Sequence, residues 1–282
     1  MSVLDFHPVA RRPLAGWASA TPAQRAEFYR DLHTCRVTRL LGAVACRAAL
    51  RLLGGLRIDG RENLPTSGPF VVVANHASHL DTLCLLATLP LRRVNRAYPA
   101  AASDYFFAPT HRARAAAVTV FLNALPFDRR TRCCGQSLHA CAALLADPSS
   151  NNVVIVFPEG SRSPDGNVAP FKRGVGELVA RRDVPVVPCR IDGAYEAWPR
   201  SLRLPRPWRS RLRVTIGTPL NFVDRPTGKL SAIEIADELR EAVLALAPRS
   251  VSAACGVADR ATHAAAFATP QAAVPELTHS NT

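Results

Sequence analysis

Phe70-Val71-Val72-Val73-Ala74-Asn75-His76-Ala77-Ser78-His79-Leu80-Asp81 is the stretch whose reading decides the fold. Its first five residues form an apolar, β-branched run bounded on one side by Ser67-Gly68-Pro69 and on the other by polar residues, which predicts a buried strand. Leucines then recur with helical spacing, and a helix is expected over about 81–89. A strand, a short polar turn and a helix in this order are one half of an α/β unit.

The same alternation continues outward from this stretch. Apolar runs at 153–157, 184–191 and 212–216 read as strands. Pro185 suits a strand start, whereas Pro188 predicts an edge or a bulge, because proline donates nothing to a ladder. Helices are expected at 21–33, with Thr21 and Pro22 at its cap and first turn, and at 37–56, 134–145, 174–181 and 231–246. Ser231-x-x-Glu234 looks like a capping box for the last of these. The fold class that follows is α/β: a mixed, largely parallel central sheet flanked by helices, with an N-terminal helical segment and a disordered C-terminal tail. The expected boundaries are 1–56 for the N-terminal segment, 57–247 for one catalytic domain, and 248–282 for the tail.

A formal charge of +13 over 282 residues favours anionic partners, namely nucleic acid, acidic lipid or a phosphorylated substrate. Of 35 basic residues only Lys172 and Lys229 are lysines. Eight cysteines without a CxxC pair point to reduced thiols. The first residues lack the basic start and apolar stretch of a secretory signal, and the apolar window 40–56 is interrupted by Arg47 and Arg51, so neither export nor a membrane span is expected. Within 37–56, leucines alternate with Arg36, Arg39, Arg47 and Arg51 in a pattern that fits a helix lying in a membrane interface, its arginines at the headgroups, or a helix packed on the core.

His76 and Asp81 stand five positions apart at the strand-to-helix junction. In one regular helix that spacing would turn them about 140° apart, so contact requires His76 in the turn and Asp81 near the helix start. Such a carboxylate fixes the imidazole tautomer and leaves the second ring nitrogen to take a proton from a hydroxyl. A rival reading makes His76, His79 and Asp81 metal ligands, but no second ligand cluster accompanies them, and no metal is expected.

Phe157-Pro158-Glu159-Gly160-Ser161-Arg162-Ser163 follows a second strand, where open α/β sheets place ligands. Its glycine permits close approach and Ser161 and Arg162 suit a phosphate, although an ordinary Pro-Gly turn would read the same in isolation. Phe127-Asp128-Arg129 is weaker and equally reads as a surface turn.

Taken in order, these elements resemble the four sequence blocks of the glycerophospholipid acyltransferase family. Asn75-His76-x-x-x-x-Asp81 matches the first block, Phe127-Asp128-Arg129 part of the second, 157–163 the third and 184–188 the fourth, while Phe171-Lys172-Arg173-Gly174 looks like the segment after the third. The resemblance implies direct acyl transfer with His76 as base and Asp81 as its orienting carboxylate. It also implies that Arg129, Glu159, Gly160, Ser161 and Arg162 bind the acceptor, above all its phosphate. The chain departs from the family at Asn123, where relatives carry the glycine that opens the second block, at Pro126, where they carry an aromatic residue, and at Ser161, where threonine is usual.

The implied reaction moves a fatty acyl group from acyl-CoA or acyl-carrier protein to a lysophospholipid hydroxyl, 1-acylglycerol 3-phosphate being the favoured acceptor, with no cofactor. The enzyme would be peripheral or monotopic on the cytoplasmic face of a membrane. Another lyso-lipid, such as a lyso-ornithine lipid, would use the same catalytic pair. From a different class, a non-catalytic basic protein binding membrane or nucleic acid also fits the charge. Aromatics make up only 6% of residues and do not interleave with arginines, so no nucleic-acid partner is expected.

Overall fold

The computed structural model describes residues 36–102, 122–127, 134–202, 204–206 and 211–248. The helix expected at 21–33, and the tail expected beyond Pro248, lie outside the described residues. In chain order the elements are α1 (Arg36–Gly54), β1 (Arg57–Asp59), β2 (Phe70–Ala74), α2 (Leu80–Thr88), α3 (Leu91–Val94), β3 (Ala97–Ala102), β4 (Leu125–Phe127), α4 (Cys134–Leu145), β5 (Val153–Val156), α5 (Gly174–Val179), β6 (Val186–Asp192), α6 (Ala194–Ala197), β7 (Arg213–Ile216) and α7 (Lys229–Ala245).

Among the described residues the strands form one seven-stranded sheet in the order β1-β7-β6-β2-β5-β3-β4. All neighbours are parallel except β6 and β7, which run antiparallel. The expected mixed, largely parallel sheet is therefore the observed one.

Period-two alternation divides the core. Phe70, Val72 and Ala74 of β2 join Ile155, Val187 and Cys189 on one face, where Leu80, Cys84 and Leu85 of α2 and Leu50 of α1 cover them. Val71 and Val73 join Val154 and Val186 on the other, under Val175 and Leu178 of α5 and Ile235, Leu239 and Val243 of α7. A strand with apolar residues on both faces has no solvent side, which is why 70–74 shows no polar alternation. The α5–α7 crossing is close at Gly176, where an added Cβ would stand 2.1 Å from the carbonyl oxygen of Ala232.

Pro188 lies inside the sheet, between β2 and β7, so the edge half of the expectation fails and the bulge half holds. Val186 pairs with Leu220 and Cys189 with Ile216, so three steps along β6 face four along the opposing chain. The extra residue falls at the turn opposite Pro188, whose carbonyl accepts from Gly217 N at 2.8 Å. The capping box does not form either. Helix α7 begins at Lys229 behind Gly228 with no side-chain cap, and Ser231 is buried inside it.

Helix α1 presents a different face from the one its leucines and arginines suggest. Arg39 is buried, and Arg47 turns into the protein to donate to the carbonyls of Leu86 and Leu89 at the end of α2. Those carbonyls have no partner within their own helix, and a cation at a helix C-terminus also complements its dipole. Val37, Leu41 and Leu52 are left in the open at 72%, 64% and 84% exposure, with Val44 between them. No described helix is long and apolar enough to cross a membrane.

Candidate active site

Strands β2, β5 and β6 are mutually parallel, so their C-terminal ends share one edge of the sheet. The first motif leaves that edge from β2. Backbone pairing between β2 and β6 stops at Ala74 and Cys189, and the side chain of Asn75 supplies the next rung: its Nδ2 donates to Ile191 O at 2.9 Å and its Oδ1 accepts from Ile191 N at 2.8 Å. This amide clamp frees the main chain to turn while holding it against the sheet.

His76 stands in the turn and Asp81 in the first turn of α2, the arrangement their spacing requires. His76 Nδ1 and Asp81 Oδ2 are 2.8 Å apart. The same oxygen accepts the backbone N–H groups of Ala77 and Ser78, each at 2.7 Å. An ionised carboxylate only accepts, so the neutral imidazole in this contact is the tautomer that donates from Nδ1 and leaves the Nε2 lone pair open. Asp81 is fully buried whereas the His76 side chain is 22% exposed, so the imidazole is the member of the pair that a substrate can reach.

The second motif leaves β5 through a turn with Pro158 in its second position, closed by Gly160 N donating to Phe157 O at 3.1 Å. Gly160 has φ +73°, a left-handed conformation that glycine adopts without penalty. Glu159, expected beside the acceptor, faces inward. Its Oε1 accepts from His76 N at 2.8 Å and its Oε2 from Ala169 N at 3.2 Å. Burial raises its carboxyl above the ordinary range, opposed by these two N–H donors. Ser163 N donates to His76 O at 2.7 Å, and the Phe157 ring stacks on the imidazole at 4.2 Å and 20°. The second motif thus grips His76 by its N–H, its carbonyl and its ring face.

Among the expected acceptor-binding residues, Ser161 is exposed, and Gly160 and Arg162 are partly so. Asp128 and Arg129 lie outside the described residues, although β4, which precedes them, ends at this same edge. Asn123 accounts for one departure from the family pattern. It sits at φ +55°, in the left-handed region that asparagine enters more readily than most residues with a side chain, and its amide donates to Ala97 O at 3.1 Å.

Three further contributors lie within the motifs but outside the expected set of site residues. Ser78 Oγ donates to Trp198 O at 2.8 Å and accepts from Leu80 N, tying the turn to the segment after α6. His79, the third member of the metal reading, lies against the Trp198 indole at 5.1 Å. Phe157 acts through its ring, and its signals are its place at the end of an apolar run and at the head of the third block. Cys84, one helical turn beyond Asp81, has its thiol pushed well up by burial and makes no rival nucleophile. An open groove of about 520 Å³ bordered by His139, Arg182 and Asp183 reaches Val184 of the fourth block but none of the candidate site residues. The groove therefore lies apart from the His76–Asp81 pair.

Residues 55–192 match the protein-family profile described as Acyltransferase. This stretch carries an Acyltransferase domain. Among curated proteins, the chain is 29% identical over 189 residues to the mouse 1-acyl-sn-glycerol-3-phosphate acyltransferase alpha, a match covering 66% of this chain and 61% of that protein. It is 33% identical over 162 residues to the human protein of the same name, covering 56% of this chain and 52% of the relative. The match thus spans little more than half the length of these acyltransferases. The crystal structure of the 1-acyl-sn-glycerophosphate (LPA) acyltransferase PlsC from Thermotoga maritima superposes with a TM-score of 0.52 at 21% identity, covering 84% of this chain and 88% of that one. At that identity the likeness speaks for the fold.

Proposed function

We propose that this protein transfers a fatty acyl group from an acyl-CoA or acyl-carrier-protein thioester to the hydroxyl of a lysophospholipid, with 1-acylglycerol 3-phosphate as acceptor, in phospholipid biosynthesis. The observation that carries the reading is the 2.8 Å contact between His76 Nδ1 and a buried Asp81 at the sheet edge. His76 Nε2 removes the acceptor hydroxyl proton as the oxygen attacks the thioester carbonyl, and Asp81 stabilises the imidazolium that forms. Collapse of the tetrahedral intermediate breaks the C–S bond, and the imidazolium returns the proton to the leaving thiolate. The acyl group arrives activated, so the reaction requires no cofactor. The acceptor assignment draws on the names of the relatives, and Ser161 and Arg162 are the side chains of the third block suited to its phosphate.

Attachment at a membrane surface is part of the proposal, supported by the open apolar row on α1 between the exposed Arg36 and Arg51. Both thioester donors are cytosolic compounds, which puts the enzyme on the cytoplasmic face. Replacing Leu41 and Val44 together by aspartate is expected to abolish sedimentation with anionic vesicles while leaving the far-UV spectrum unchanged. Undiminished sedimentation removes α1 from the attachment surface.

Transfer of a labelled acyl chain to a panel of acceptors, including 1-acylglycerol 3-phosphate and a lyso-ornithine lipid, tests the activity and its acceptor together. His76→Ala is expected to lower kcat/KM by about 10³-fold, the range for a lost general base, with a native fold. Full activity in that variant overturns the mechanism.

A further inference from the structure

Lys172 is drawn to the turn of the third block. Its main-chain N–H donates to Pro158 O at 2.9 Å, and its carbonyl accepts from Val175 N at 3.3 Å. From there its side chain runs along Gly160. A Cβ placed on that glycine would stand 3.1 Å from Cδ, 2.9 Å from Cε and 2.6 Å from Nζ of Lys172. Three successive atoms therefore lie flat over a residue that has no side chain to lift them. Gly160 serves two purposes, its left-handed φ and the track it leaves for the lysine.

The track delivers an ammonium to the residue next to Glu159, whose carboxylate is committed to His76 N and Ala169 N and faces away from this surface. Among the described residues no acidic side chain pairs with Lys172, whereas the adjacent Arg173 is matched to Glu177 at 3.2 Å. The residue type is itself informative. With only two lysines among 35 basic residues, an unconstrained basic position in this chain would be arginine. A slender stem with a compact ammonium passes over a glycine where a broad planar guanidinium needs more room.

We propose that Lys172 is a phosphate anchor, its ammonium held over Gly160 to bind phosphoryl oxygens of a substrate. The inference rests on the acyl-transfer reading for the identity of that substrate. The phosphate is either the acceptor's monoester or belongs to the nucleotide end of the acyl donor, and the same cation suits both.

Thermal unfolding of the full chain separates the two sources, because a ligand that binds only the native state raises Tm. Glycerol 3-phosphate stands for the acceptor headgroup and adenosine 3′,5′-bisphosphate for the donor nucleotide. At least one is expected to raise the wild-type Tm. Lys172→Met keeps the stem over Gly160 and removes the charge, so it should lose most of that rise. Lys229→Met changes net charge equally at the start of α7 and should retain it. Gly160→Ala should mimic Lys172→Met by displacing the side chain, and if it does not fold, Lys172→Met decides alone. In turnover, Lys172→Met is expected to raise KM for the responding substrate by about tenfold with kcat within about twofold, the pattern of lost uniform binding.

Absence of any wild-type Tm rise, or a full rise in Lys172→Met, overturns the anchor. If a Lys172-dependent rise persists but wild-type protein transfers no acyl group to 1-acylglycerol 3-phosphate, the acceptor assignment falls and the anchor stands. If transfer to that acceptor proceeds with every KM unchanged in Lys172→Met, the anchor falls and the activity stands.

Discussion

The two turns at the candidate site meet at the same histidine and are built on opposite plans. The turn after β2 is self-contained: Asp81 reaches back five residues to His76 Nδ1 and four and three residues to the N–H groups of Ala77 and Ser78. The turn after β5 works at a distance, its Glu159 meeting the His76 N–H across 83 residues of chain. One sets the tautomer of the ring and the other holds the ring in place. The difference teaches that activating a base and immobilising it are separate tasks, which substitution can therefore separate.

Asp81→Asn should break the local turn and have the largest effect. Oδ2 collects three N–H donors, and an amide cannot both keep them and hold the imidazole in its reactive tautomer. A fall in kcat of about 10⁴-fold is expected, as for orienting carboxylates elsewhere, measured in the acyl-transfer assay. A loss below tenfold would mean that the tautomer is set by something else.

Glu159→Gln should act on placement alone. One amide oxygen replaces two acceptors, and a fall in kcat of about tenfold with KM nearly unchanged is expected. The same substitution has a pH signature. Burial raises the folded-state pKa of Glu159 above its ordinary value of 4.5, so the folded protein holds this proton to higher pH than the unfolded chain does. The associated stability is complete below 4.5 and fades as pH rises through the raised value. Urea midpoints of wild type should therefore decline across that window relative to those of Glu159→Gln. Parallel curves for the two proteins would contradict the inward placement.

Phe157→Leu is the gentlest probe of the second turn. It keeps the strand end apolar but loses the stacked ring, and kcat should fall by about fivefold, in keeping with about 1 kcal/mol for an aromatic pair. A change as large as that of Asp81→Asn would erase the distinction between the two turns.

The same contrast explains what the sequence made legible. A β-branched run, a polar break and a His-Asp pair at the required spacing are local signals, and β2, α2 and the His76–Asp81 contact lie where they predict. Glu159 gave no sign of its partner, because a carboxylate in a Pro-Gly turn reads alike whether it faces solvent or a backbone N–H elsewhere. Strands β1, β3 and β4 escaped notice because Arg-Ile-Asp, an alanine-rich stretch with Pro99, and Leu-Pro-Phe have little β propensity and pair only through neighbours already in the sheet. On α1 the arginines looked like the solvent side. Tertiary demand for donors at the end of α2 turned Arg47 inward and left hydrophobic residues outside.

That last contact redraws the border between attachment and catalysis. Arg47 closes the far end of the very helix whose first turn holds Asp81, while Leu41 and Val44 stay exposed on the same α1 cylinder. The frontier thus runs lengthwise along one rod, not across the polypeptide at a cut site. A single helix is all that separates the anchor point of Arg47 from the carboxylate that holds His76.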